Sequence, residues 1–86
     1  MVVHIPSPLH SYTGGRATVE GRGATIAGLA SHLDRLYPGL RFRIIDEQDH
    51  VRPHILLYVN GSVVRDMGYR ISDHDEVHII AALSGG

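Results

Sequence analysis

Only one stretch of this chain carries a helical apolar stripe, and the rest must fold so as to cover that stripe. Ile26, Leu29, Leu33 and Leu36 follow one another at spacings of three, four and three, with Ala30 and Tyr37 alongside, which is the period of an amphipathic helix. Ser31 and Arg35 fall on the opposite side. Thr25 supplies a hydroxyl for the orphan N–H groups of the first turn, and Pro38-Gly39 stops the helix. A lone helix with one apolar face needs one sheet face against it.

The flanking segments read as that sheet. Val2 to Ile5 is an opening strand closed by Pro6 and Pro8, since proline cannot donate to a ladder. After a turn at Thr13-Gly14-Gly15, Ala17 to Glu20 returns as a second strand, and Gly21 and Gly23 end it. Beyond the helix, Phe42 to Ile45 reads as a short strand, Asp46 to His50 as a polar loop and His54 to Val59 as a strong strand. Asn60-Gly61 is a hairpin turn of the kind that needs positive φ at both positions, with Ser62 to Arg65 returning from it. Asp66 to Glu76 is an irregular polar crossing, Val77 to Leu83 the last strand, and Ser84-Gly85-Gly86 a tail. The expected architecture is α+β, a mixed sheet of the β-grasp kind wrapped on one main helix, with the first and last strands parallel at its centre. The 86 residues hold one domain, expected over 1–83, followed by a flexible tail over 84–86.

Composition removes several function classes. The formal net charge is −1, so the basic footprint of a nucleic-acid binder is missing. No apolar run approaches the roughly 20 residues of a membrane span. The opening Met-Val-Val-His-Ile-Pro has neither a basic leader nor a long apolar stretch, so no signal peptide and a cytoplasmic location are expected. There is no cysteine, which excludes a thiolate nucleophile and Cys-ligated zinc. All eight basic side chains are arginine, so the N-terminus is the one ordinary amine nucleophile.

The polar residues suggest no catalytic constellation. His50 and His54 stand four apart, as do His74 and His78, but that spacing shares a face only in a helix, and both pairs lie in loop-to-strand segments. No metal site is expected. Asp46, Glu47 and Asp49 share one loop, and Asp73, Asp75 and Glu76 another; both groups read as turn formers and solvated charges. Ser84 lacks a nucleophile elbow, and Thr13-Gly14-Gly15 is too short for a phosphate loop. What remains is the end of the chain. Two glycines without Cβ atoms give a thin, pliable peptide that can enter a narrow channel, and Ser84 to Gly86 reach about 10 Å past the sheet. The group delivered is the α-carboxylate of Gly86.

These residues resemble the prokaryotic ubiquitin-like sulfur carriers: the thiamine carrier, the small subunit of molybdopterin synthase and the carrier of cysteine biosynthesis. The resemblance spans essentially the whole chain. It rests on Thr13-Gly14-Gly15, Ala24-Thr25-Ile26, Leu57-Tyr58-Val59-Asn60-Gly61, and Asp75 to Ile79 leading to Ser84-Gly85-Gly86. It is nearest the cysteine-biosynthesis type, because Pro6-Ser7-Pro8-Leu9 stands where molybdopterin-synthase subunits usually carry a Phe-Ala-rich segment. The resemblance implies that an E1-like enzyme uses ATP to adenylate Gly86, that sulfur then replaces AMP to leave a thiocarboxylate, and that Ser84 and Gly85 thread the partner's channel. It implies further partners in a sulfur-accepting synthase and a metalloprotease, no bound cofactor, and no catalytic residue in the chain itself. The alternatives are the small subunit of molybdopterin synthase and a protein modifier conjugated through Gly86. Strand alternation adds a docking face: if Ile55, Leu57, Val59, Val77, Ile79 and Ala81 point at the helix, then Leu56, Tyr58, Ile80 and Ala82 point outward as an apolar patch for the activating enzyme.

Overall fold

The computed structural model describes residues 1–82. In chain order it contains β1 (Val2–His4), a 3-10 helix (Ser7–Thr13), β2 (Thr18–Glu20), α1 (Ile26–Leu36), α2 (Leu40–Ile44), β3 (Ile55–Val59), β4 (Ser62–Val63) and β5 (Glu76–Ala81). One five-stranded sheet runs in the order β2-β1-β5-β3-β4. β1 and β5 are parallel at its centre and every other pairing is antiparallel, the arrangement expected from the sequence.

The apolar stripe of α1 lies on one sheet face. Ile26, Leu29, Ala30 and Leu33 are buried and enclose a shared apolar interior with Leu57, Val77 and Ile79. Burying a leucine of this kind contributes about 1.5–3 kcal/mol. Leu36, assigned to the stripe by its spacing, is instead 51% exposed. At 100° per residue it sits roughly 70° from the centre of the buried set, so the stripe ends one turn earlier.

The start of α1 is held from two sides. Thr25 caps it as expected, its Oγ1 accepting from the Gly28 N–H at 3.1 Å. The next two free donors are met by the crossing between β4 and β5: Ile26 N–H donates to the Tyr69 carbonyl (3.1 Å) and Ala27 N–H to the Met67 carbonyl (2.9 Å). In return the Ile71 N–H donates to the Ala24 carbonyl at 3.0 Å, and Ile71 is buried. The crossing is thus irregular in shape but fixed in place, because it satisfies backbone groups that a helix cannot satisfy alone.

The segment Phe42–Ile45, read above as a strand, is helical over Leu40–Ile44. The helix puts Leu40 and Ile44, four residues apart, into the core and leaves Phe42 56% exposed; a strand would have set Phe42 and Ile44 on one face. Asp34 at the end of α1 fixes the start of α2, its Oδ1 accepting from the Gly39 and Arg41 N–H groups at 3.1 and 3.2 Å. At the other hairpin, Asn60 and Gly61 both hold positive φ, 51° and 86°, as their turn type demands. The return strand β4 is shorter than expected, ending at Val63. β5 begins one residue earlier than expected, at Glu76, and its assigned pairing ends at Ala81.

Candidate functional site

Among the described residues the sheet has one face under α1 and one face that no helix covers. Burial alternates along β3 and β5: Ile55, Leu57, Val59, Val77 and Ile79 are buried, while Leu56, Tyr58, His78 and Ile80 are not. The register then builds the outer face row by row. Leu56 stands opposite Ile80, and Tyr58 opposite both His78 and Val63. His78 in turn stands opposite His4, and His4 opposite Thr18. The Ala82 N–H donates to the His54 carbonyl at 2.8 Å, so the ladder continues one pair past Ile55↔Ala81 and Ala82 keeps the parity of Ile80. Leu56, Tyr58, Ile80 and Ala82, assigned outward from alternation, therefore share one face. Val63 joins them, 48% exposed beside Tyr58; sequence reasoning missed it because the register of a hairpin is not visible until its turn is placed.

This face divides in two. Its apolar half, Leu56, Tyr58, Val63, Ile80 and Ala82, includes the end of β5 from which the last four residues depart. Leu83 and the tail residues Ser84, Gly85 and Gly86 lie outside the described residues. Its polar half is at the start of β5, where Glu76 and His78 meet His4. Beside the departure point an open groove of about 370 Å³ is lined by Pro8, Leu9, Ser11, Tyr12, Arg43 and His54. The Arg43 Nε–H donates to the Tyr12 hydroxyl at 2.6 Å, which ties the 3-10 helix to α2 along this groove.

Asp46 and Asp75 behave as turn formers, while Glu76 opens strand β5. Asp46 accepts from the backbone N–H groups of His50 and Gln48, chiefly the former, and these bonds hold its carboxyl below the usual range. Asp75 is likewise held down, first by the Asn60 side-chain amide and then by the Ser72 N–H. Glu76 is lowered chiefly by its hydrogen bond from His4. None of the three has the raised pKa of a general acid. The histidine pairs His50/His54 and His74/His78, flagged for their spacing, are not grouped as metal-ligand sets; the grouping among the described residues is His4, Glu76 and His78. The signal for it was a parallel pairing of β1 with β5, which no local spacing reports. Among the described residues no helix is long and apolar enough to cross a membrane.

Comparison with known proteins places this geometry. The ThiS family model matches residues 3–86. The sulfur carrier protein CysO of Mycobacterium tuberculosis is 34% identical over 91 residues, covering 100% of this chain and 98% of that one. The crystal structure of an Amycolatopsis orientalis BexX/CysO complex contains a chain that superimposes with a TM-score of 0.91 at 30% identity, covering 99% of this chain and 98% of that one. The crystal structure of Mycobacterium tuberculosis CysO gives 0.89 at 31%, covering 95% and 98%.

Proposed function

The chain belongs to the ThiS family, and from that premise we propose that it is a sulfur carrier protein whose reactive atom is the carbonyl carbon of Gly86. The observation that carries the reading is the full-length match to the sulfur carrier protein CysO, which runs through the diglycine itself. A carboxylate is inert towards sulfur nucleophiles until it is activated. In the proposed sequence an E1-like enzyme transfers AMP from ATP to the Gly86 carboxylate, releasing pyrophosphate. A sulfur nucleophile then forms a C–S bond as the C–O bond to AMP breaks. The product is a thiocarboxylate, which a sulfur-accepting synthase consumes.

The chain acts here as a co-substrate and supplies no catalytic residue. Its outer sheet face gives the activating enzyme something to hold, with Leu56, Tyr58, Ile80 and Ala82 as the contact, while Ser84 and Gly85 thread the channel. That the relative from Amycolatopsis orientalis forms a complex with BexX supports a carrier of this shape being gripped by a partner protein. A metalloprotease that exposes Gly86 in a longer precursor, and a cytoplasmic setting where ATP is at hand, complete the reading.

Intact-mass measurement tests it. After incubation with the E1-like enzyme, ATP and a sulfide source, the chain should gain the difference between one sulfur and one oxygen, located in the C-terminal peptide. A ladder of larger conjugates would instead make the protein a modifier. An unchanged mass would overturn both.

A further inference from the structure

On the face opposite α1, the centre of the sheet brings together three side chains with no part in carrying a group on Gly86. His4 of β1 stands opposite His78 of β5, and Glu76 lies two residues before His78 on the same face. The two imidazoles stack with ring centroids 3.9 Å apart and planes 2° from parallel. The His4 Nε2–H donates to the Glu76 carboxylate at 2.5 Å. One donor atom from each of the three residues lies within 4.8 Å of the other two.

We propose that His4, Glu76 and His78 form a binding site for a divalent transition-metal ion of the zinc type. The donor set decides the class. Two imidazole nitrogens and one carboxylate oxygen suit Zn²⁺, Co²⁺, Ni²⁺ or Cu²⁺; calcium and magnesium want a shell of oxygens, and soft Cu(I) wants sulfur. Bond lengths of about 2.0–2.2 Å set tetrahedral ligands roughly 3.3 Å apart. The Glu76–His4 pair is already inside that separation. The remaining closure requires the two stacked rings to turn out of parallel so that their nitrogens converge, and the His4 and Glu76 side chains, 33% and 53% exposed, border solvent where such a turn has room.

The backbone beneath them is not free. β1 and β5 are paired at the middle of the sheet, so the chain entropy of bringing residues 4 and 78 together is already spent in folding. Three protein donors leave at least one position for water or for a donor from a bound partner. The metal replaces the hydrogen bond between His4 and Glu76: the neutral His4 ring ligates through Nε2 and carries its one proton on Nδ1.

The test uses the tag-free full chain titrated with ZnCl₂ by calorimetry at neutral pH. One Zn²⁺ per chain should bind saturably. His4→Ala and His78→Ala should each weaken binding at least about tenfold, whereas His74→Ala and His50→Ala, outside the cluster, should not. CoCl₂ on the unmutated chain provides a second readout that needs no variant: substoichiometric Co²⁺ should broaden the His4 and His78 ring resonances before those of any other histidine. Absence of saturable Zn²⁺ binding, equal affinity in the His4→Ala/His78→Ala double variant, or Co²⁺ broadening centred on other histidines would each overturn the proposal.

Discussion

Asp75 accepts from the Asn60 side-chain amide and the Ser72 N–H, both at 2.8 Å, and Asn60 sits in the β3–β4 turn while Ser72 sits in the crossing. One half-buried carboxylate therefore ties two loops together, and its ionised form is the one the bonds favour. The sign follows from linkage. A folded pKa below the unfolded value adds stability that is fully present above the unfolded pKa, near 3.8, and is lost as pH falls through the folded one. Asp46 and Glu76 act in the same sense. The melting temperature should be nearly flat from neutral pH to about pH 5 and fall below about pH 4. In Asp75→Asn, which keeps the shape without the charge, the acid fall should be shallower while the neutral-pH melting temperature drops. An acid limb identical to wild type would remove Asp75 from this account. That Asp46 and Asp75 form turns was legible from the clustering of acids in two loops; which donors they would find was not, because Asn60 and Asp75 are brought together only by the sheet.

At the scale of elements, two glycines with different surroundings make opposite predictions. A Cβ on Gly23 would lie 2.4 Å from the Leu29 nitrogen and 2.8 Å from its Cα, within the backbone of α1. Gly23→Ala should cost about 1–3 kcal/mol in urea unfolding, because neither backbone can move cheaply. Gly28 lies in the first turn of α1, where a Cβ meets the Thr25 hydroxyl at an ordinary 3.5 Å; Gly28→Ala should gain about 0.5–1 kcal/mol from helix preference. A Gly23→Ala variant as stable as wild type would show that the close approach is not what limits that position. The sequence showed α1 well, since its stripe, its threonine cap and its Pro-Gly stop agree. It misled over Phe42–Ile45, where the apolar and branched residues suited a strand. The deciding fact was tertiary: Asp34 caps the next turn and the core has room for Leu40 and Ile44.

For the whole molecule, one helix needing one sheet pointed to a mixed sheet with its first and last strands parallel at the centre, and the alternation in Ile55–Val59 and Val77–Ala81 told which side chains face outward. It did not tell what lies beside them, so Val63 and the meeting of His4 with Glu76 and His78 became visible only with the register. The outer face yields a prediction at this scale. Ile80 is 42% exposed at the centre of the apolar half. Ile80→Glu should leave the melting temperature within a few degrees of wild type, because surface changes usually lie within about 0.5 kcal/mol. It should raise the KM for adenylation by the activating enzyme at least about tenfold. Unchanged adenylation kinetics would move the contact elsewhere on the chain.

The strand that hands over to the chain end is the best gripped in the sheet. β5 is flanked on both sides, antiparallel to β3 through five residue pairs and parallel to β1 through three. Force applied to the tail, as when a product is withdrawn from an enzyme's tunnel, is carried in shear by both ladders at once and cannot peel away an edge. If the chain end enters and leaves a partner's channel as proposed, it is fastened to the strand with the most pairing in the sheet.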